Sequence, residues 1–205
     1  VAEVYGIGKT QDGYVCIGEN SDGEAVKLTF MSPNGEVHEE KLDSAFVMSV
    51  DEKISAAYVD GDGSIYIALS SVLGDGDMES RIAVITGNGE VRQLSDEFEG
   101  NVTAIRVLAA GSGYISGCPG GDIRCFSMDG EERFVIKNMN YTDICVASDR
   151  IMVLTERSLL SYDISDGSET ENITAFDKSM ADDLDETFNE KGMERCVEKA
   201  WRTGW

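Results

Sequence analysis

The sequence predicts an all-β fold, a β-propeller with about four four-stranded antiparallel blades, followed by a C-terminal α-helical segment. Three observations support this prediction. Turn signals recur between apolar stretches, the strands before those turns share an alternating apolar pattern, and the same order of strands is repeated four times. A β-sandwich is the alternative architecture, and the similarity of the four units argues against it.

Four turn signals of the hairpin type lie between apolar stretches of the chain. Asn-Gly and Asp-Gly dipeptides favour the positive φ that such turns require. Each signal therefore predicts two antiparallel strands that are joined at that point. The four turns are Pro33–Glu36, Gly87–Glu90, Met128–Glu131 and Ser165–Ser168.

The strands that precede these turns share a pattern when the four segments are aligned on the turn glycine. The residues seven and five positions before the glycine are all apolar or aromatic. A spacing of two places both positions on one face of a strand, as a half-buried sheet requires. The residues are Leu28, Ile82, Ile123 and Leu160 at the first position, and Phe30, Val84, Cys125 and Tyr162 at the second.

The chain contains four such units, each of which is predicted to form four strands joined by short loops. A second turn opens another strand upstream of each hairpin, and three of these turns recur at equal intervals, at Gly13, Gly63 and Gly113. A β-propeller packs one face of each four-stranded blade against the next blade. The predicted units are residues 1–42, 43–96, 97–138 and 139–173, which together form the domain 1–173.

The pattern changes after residue 173. Phe176, Met180, Leu184 and Phe188 recur every four residues, which is helical spacing. Residues 174–205 are therefore predicted to form a helical segment. We expect this segment to pack across the propeller or to lead into another domain.

The charge balance excludes some classes of partner. Lys and Arg number 17 and Asp and Glu number 39, which gives a formal net charge of −22 at pH 7. Such a chain repels phosphate backbones and anionic lipid surfaces. No run approaches the ~20 consecutive apolar residues that a membrane-spanning helix needs. We therefore expect neither nucleic acid binding nor insertion into a membrane.

The five cysteines form an odd set without the CxxC spacing of structural zinc sites. Cys125 occupies a position that is apolar or aromatic in the other units, so we interpret it as a small buried hydrophobic residue. A disulfide between Cys118 and Cys125 across the hairpin is the alternative, because the register decides whether the two Cβ atoms meet.

Residues that could carry chemistry are few. The one histidine, His38, lies in a polar stretch and is interpreted as a solvated edge residue. The longest loop within a unit, residues 70–80, carries the alternating carboxylates Asp75, Asp77 and Glu79. Carboxylate oxygens are ligands that Ca²⁺ prefers, so this loop is the candidate metal site, and a solvated loop is the alternative. No other cofactor is expected.

One repeat resembles those of a known family. The segment LLSYDISDGSE at residues 159–169 has a strand that ends in Tyr-Asp before an Asp-Gly turn. It is similar to the repeats of bacterial propellers of the quinoprotein-like (PQQ-like) type. The tryptophan that commonly closes such repeats is absent from all four units, which argues against quinone-dependent catalysis. The resemblance implies a recognition or scaffolding domain of a bacterial cell-surface or secreted protein, with a cytoplasmic location as the alternative.

The sequence is therefore interpreted as a non-enzymatic binding or scaffolding module. Its expected partner is a protein or carbohydrate ligand, or a neighbouring domain, bound by the loops at one end of the blades. The alternative is a propeller hydrolase with paired carboxylates. That activity requires two carboxyl groups about 5–10 Å apart, one of them with a raised pKa.

Overall fold

The computed structural model describes the chain mainly as β-strands and short turns. The described residues are 3–19, 26–41, 48–49, 51–87, 90–108, 111–147 and 149–174. The helical segment predicted for residues 174–205 lies outside them, apart from Thr174, which ends the last strand. Within the described residues, no helix is long and apolar enough to cross a membrane.

Four antiparallel sheets follow one another along the chain, and the four main strands of each are hydrogen-bonded in chain order. The first sheet contains β1 (Glu3–Thr10), β2 (Gly13–Glu19), β3 (Val26–Met31) and β4 (Val37–Lys41). The second contains β5 (Lys53–Val59), β6 (Ile65–Val72), β7 (Met78–Ile85) and β8 (Val91–Gln93), with the short β9 (Phe98–Glu99) paired to β7. The third contains β10 (Ala104–Val107), β11 (Tyr114–Gly117), β12 (Gly121–Phe126) and β13 (Glu132–Met139). The fourth contains β14 (Asp143–Ala147), β15 (Arg150–Leu154), β16 (Ser158–Asp163) and β17 (Glu169–Thr174).

The sheets pack face to face in the order of the chain. The first strand of each sheet contacts the first strand of the next, so that β1 meets β5, β5 meets β10 and β10 meets β14. Three apolar clusters fill the spaces between consecutive sheets. We call the side of a sheet that meets the next sheet its forward face, and the opposite side its rear face. In the third sheet, Ile115 and Ile123 lie on the forward face, whereas Tyr114 and Phe126 lie on the rear face.

The two apolar columns predicted from the sequence line these spaces. Six of their eight residues are buried, and Phe30 and Leu160 are partly buried against a buried cluster. The prediction that both columns face the core is therefore confirmed.

The fourth unit differs from the others by one residue in its hairpin. In the third sheet the Ser127 amide donates to the Glu131 carbonyl, four residues later. In the fourth sheet the Asp163 amide donates to the Ser168 carbonyl, five residues later. The alignment on turn glycines therefore places the fourth unit one residue out of register with the other three.

A shift of one residue moves a side chain to the opposite face of its sheet. In the first three units the aligned columns lie on the forward face. In the fourth, Leu160 and Tyr162 lie on the rear face and pack against the third sheet. In the fourth sheet, the residues that correspond in structure to the two aligned columns of the other sheets are Leu159 and Ser161, which lie on the forward face.

Glycine at the third position of the hairpin loop supplies the turn geometry in the first and third sheets. Gly35 and Gly130 both adopt a φ of 86°, in the left-handed region. Each closes its turn by donating its amide to the carbonyl of Ser32 or Ser127. The two turns differ in their surroundings, because a Cβ at Gly130 would collide with the Leu94 carbonyl oxygen of the second sheet, whereas one at Gly35 would meet nothing within 4 Å.

Cys118 and Cys125 lie on opposite faces of the third sheet, and neither forms a disulfide. Cys118 belongs to the cluster between the second and third sheets, and Cys125 to the cluster between the third and fourth. The disulfide alternative is therefore wrong, because the sheet itself separates the two thiols. Cys125 is a small buried hydrophobic residue, as predicted, and burial raises the pKa of both thiols to about 11.

Candidate functional site

The rear face of the first sheet is covered by no other sheet of the described residues. The register places five large apolar side chains on this face, each between 41% and 66% exposed. They make up half of the large exposed hydrophobic residues found in the described part of the chain. The five residues are Val4, Ile7, Tyr14, Met31 and Val37.

The same positions are buried where a preceding sheet is present. Tyr14 corresponds in register to Ile65, Tyr114 and Ile151 in the other sheets, and these three are at most 2% exposed. Met31 corresponds to Ile85, Phe126 and Tyr162, which are also buried. The first sheet therefore presents to solvent the kind of surface that its three counterparts bury.

A groove of about 230 Å³ lies at the hairpin end of the first sheet, where β2, β3 and β4 come together, and residues of both faces line it. Tyr14, Phe30, Met31 and His38 line it. The rings of Phe30 and His38 are stacked with their centroids 6.3 Å apart. Asp12 and Glu36 also line the groove.

His38 is the solvent-facing edge residue that the sequence predicts. Its side chain is 70% exposed, and its Nε2 lies 3.2 Å from a carboxylate oxygen of Glu40. An apolar groove with a few polar groups at its margin is typical of sites that bind organic ligands or side chains. The groove therefore fits binding better than it fits acid–base chemistry.

The forward face of the fourth sheet is the second uncovered surface. Leu154, Leu159 and Ile173 lie directly opposite one another across β15, β16 and β17. Leu154 is 43% exposed and Ile173 is 48% exposed. Within the described residues, no strand of the fourth sheet packs extensively against the first, so the four blades form an open arc.

The candidate calcium loop is shorter than the sequence suggests. β6 continues to Val72 and β7 starts at Met78, so the loop contains only residues 73–77. Asp75 accepts a hydrogen bond from the Asp77 amide at 3.2 Å, whereas Glu79 lies on β7. Among the residues that the structure describes, no three His, Cys, Asp or Glu side chains are grouped as metal ligands.

Calcium binding at Asp75, Asp77 and Glu79 thus stays a prediction that requires the side chains to rearrange. Titration calorimetry with about millimolar calcium, the range of extracellular sites, would test it. The expected heat should disappear in the double variant Asp75→Ala plus Asp77→Ala. No heat from the wild type would contradict the prediction.

Carboxyl groups with a raised pKa are not found among the described residues. Hydrogen bonds from Arg81 lower the pKa of Glu52, and hydrogen bonds from Ser165 lower that of Asp163. Desolvation raises the pKa of Asp122, but its hydrogen bonds and cationic neighbours together outweigh this, and the net shift is downward. The acid that a paired-carboxylate hydrolase needs is therefore not apparent in this part of the chain.

The two uncovered faces were not predicted from the sequence, which directed attention to the loops at one end of the blades. The sequence does contain a signal for the rear face of the first sheet. Ile7, Tyr14 and Met31 are large apolar residues on the side of their strands that does not carry the aligned columns. These residues indicate that the first unit also has apolar side chains on its second face.

Comparisons with known proteins bear on the fold. No family model matches the sequence, and no curated protein matches it. The β-propeller domain of Cps50 (Swd1) from Myceliophteria thermophila aligns with a TM-score of 0.61 and 11% sequence identity, over 84% of this chain and 61% of that chain. The computationally designed Ika4 protein aligns with a TM-score of 0.44 and 16% identity, over 62% of this chain and 76% of that one.

The chain spans about three fifths of the length of the Cps50 domain. At 11% identity the similarity shows the fold alone. The β-sandwich alternative is therefore wrong, and the chain has a β-propeller fold made of successive antiparallel sheets.

Proposed function

We propose that this protein is a binding module, and that the rear face of the first sheet is the surface through which it binds a protein partner. The observation that carries the proposal is the exposure of Val4, Ile7, Tyr14, Met31 and Val37 on one continuous face. Large exposed apolar patches on soluble proteins are typical of interaction sites.

The composition of this face supports a protein partner. Tyr and Met are enriched at the centres of protein interfaces, because each buries a large area and can adapt to a partner. Tyr14 and Met31 are neighbours across β2 and β3, beside the groove.

The proposal includes two expectations from the sequence resemblance. These are a location outside the cytoplasm and repeats of the quinoprotein-like type. The net charge of −22 supports a partner that is neither nucleic acid nor an anionic membrane. The hydrolase alternative has less support, because the shifted carboxyl groups all have a lowered pKa.

Arrays of immobilised peptides and glycans would test the binding function. The wild type and the variants Met31→Lys and Val72→Lys should be applied at equal concentration. Val72 is 63% exposed but lies in the second sheet, so its variant is a matched control. Signals that Met31→Lys loses and Val72→Lys keeps would support the proposal. Signals that all three proteins share equally would contradict it. If only glycans give signals that depend on Met31, the partner is a carbohydrate and not a protein.

A further inference from the structure

The two uncovered faces are of complementary type. The series of blades begins with an uncovered rear face on the first sheet and ends with an uncovered forward face on the fourth. At each of the three junctions within the chain, a forward face packs against a rear face. The two free faces can therefore pack on each other in the way that joins consecutive sheets.

Both free faces keep the apolar positions that the internal junctions use. Leu154 on the fourth sheet corresponds to Ile17 on the first, which is fully buried against the second sheet. Leu159 and Ile173 extend this apolar row across the sheet. Tyr14 is the counterpart of the fully buried Tyr114.

The hairpins give a second, independent indication. The hairpins of the third and fourth sheets rest on the preceding sheet near its outer strand. Gly130 lies against the Leu94 carbonyl oxygen, and Gly167 lies against the Phe134 ring. At Gly35, in the first sheet, the equivalent space is open. The hairpin of the first sheet thus has the conformation of a hairpin that rests on an outer strand, but no strand of the described residues occupies that place.

The charges on the two faces are opposite in sign. Among the strand residues that the register places on the described rear face of the first sheet, two lysines outnumber one glutamate, although the protein as a whole is strongly acidic. On the forward face of the fourth sheet, the carboxylates outnumber the single arginine. The residues are Lys9, Lys27 and Glu39 on the first sheet, and Asp143, Asp163, Glu171 and Arg150 on the fourth.

We propose that the partner is a second copy of this chain, and that two copies join head to tail into a closed ring of eight blades. This inference rests on the proposed function, because it names the partner of the same face. A two-fold axis along the channel would bring each forward face onto the other copy's rear face, and eight blades lie within the usual range for propellers. A second copy arranged in this way covers both free faces at once.

Light scattering after size exclusion would measure the oligomeric state. One chain has a mass of 22.3 kDa, and the wild type is expected at twice that value. Because each copy carries a net charge of −22, the measurement should be made at about 0.15 M salt and again at higher salt, where repulsion is more strongly screened. The control Val72→Lys should remain a dimer.

Two charge variants test the head-to-tail arrangement. Met31→Lys on the first sheet and Leu154→Glu on the fourth should each give a monomer when alone. When they are mixed, one junction joins two unaltered faces, and the other joins the introduced lysine to the introduced glutamate. The mixture is therefore expected to form a dimer, which also shows that both variants are folded.

Four outcomes would overturn the proposal. The wild type could be a monomer at every salt concentration, or it could form species larger than a dimer. Leu154→Glu could remain dimeric while Met31→Lys does not, which would indicate a face-to-face dimer of first sheets. The mixture of variants could also fail to associate while circular dichroism shows both to be folded.

Natural thiols give a further readout, because Cys16 lies on the first rear face and Cys145 on the fourth forward face. Both should be alkylated more slowly in the dimer than in the monomeric variants. Slow alkylation of Cys145 alone, in a monomeric wild type, would indicate that the chain's own C-terminal segment covers the fourth sheet and would overturn the ring. If the wild type is a monomer and the Met31→Lys variant loses array signals that the wild type gives, the ring is wrong and the proposed binding function is still supported.

Discussion

The contact between the hairpin of the third sheet and the second sheet can be measured with a matched pair of glycine variants. Gly35 and Gly130 have the same φ of 86° and the same position in equivalent turns. Changing either to alanine places a Cβ in the left-handed region, which costs ~1–2 kcal/mol. In the monomeric Leu154→Glu background, where no second copy covers the first sheet, Gly35→Ala should cost no more than this, because nothing in the described part of the chain lies within 4 Å of the new Cβ.

Gly130→Ala carries an additional cost, because the new Cβ would collide with the Leu94 carbonyl oxygen. A backbone atom cannot rotate away as the end of a flexible side chain can, so the hairpin or the second sheet must move. Overpacking of this kind costs ~1–3 kcal/mol. For a protein of this size each kcal/mol lowers Tm by ~2–4 °C, so Gly130→Ala should melt about 2–12 °C below Gly35→Ala.

Urea unfolding and thermal melting followed by circular dichroism would supply both free energies. Equal losses of stability in the two variants would refute the reasoning. That result would mean that the third hairpin does not rest on the second sheet. A larger loss at Gly35 would indicate that this turn, too, is packed against something in solution.

Three other predictions concern the second and third sheets. Ser80→Ala should cost ~1–3 kcal/mol in urea unfolding, because Ser80 donates to the Gly100 carbonyl at 2.7 Å and accepts from the Val102 amide, and both would lose a partner. Glu52 has a lowered pKa in its pair with Arg81. Its charged form therefore stabilises the fold above the ordinary pKa of 4.5, and this contribution is lost as the pH falls through the lowered value. Glu52→Gln should reduce the dependence of the urea midpoint on acid pH. Cys125 should resist alkylation at pH 8 until urea unfolds the protein, since burial raises its thiol pKa to about 11, and fast labelling of the native protein would contradict this.

The strands and turns could be predicted from the sequence because both depend on local patterns. A spacing of two between apolar residues decides which face of a strand is buried, and Asn-Gly or Asp-Gly decides where the chain reverses. The fourth unit shows where such an alignment fails. Its hairpin has one extra residue, so Leu160 and Tyr162 were assigned to the same column as their counterparts but lie on the opposite face.

The uncovered faces depend on which sheets are present in space, and a local pattern does not contain that information. Tyr14 and Tyr114 occupy the same place in their units, yet one is 42% exposed and the other is fully buried. The predicted calcium loop was longer than the loop in the structure for a related reason. Ser70 and Ser80 are polar and suggest a loop, but they face each other as paired strand residues and share a buried hydrogen bond of 2.6 Å.

The packing of each sheet against only its neighbours in the chain has a consequence for how the molecule opens. In such linear arrays stability is roughly a sum of terms from each unit and each junction. The second and third sheets are held from both sides, whereas the first and fourth are held from one side only. Native-state hydrogen exchange of the monomeric variant Leu154→Glu should therefore show a gradient, with the slowest amides in β6 and β11 and earlier opening at the two ends of the series.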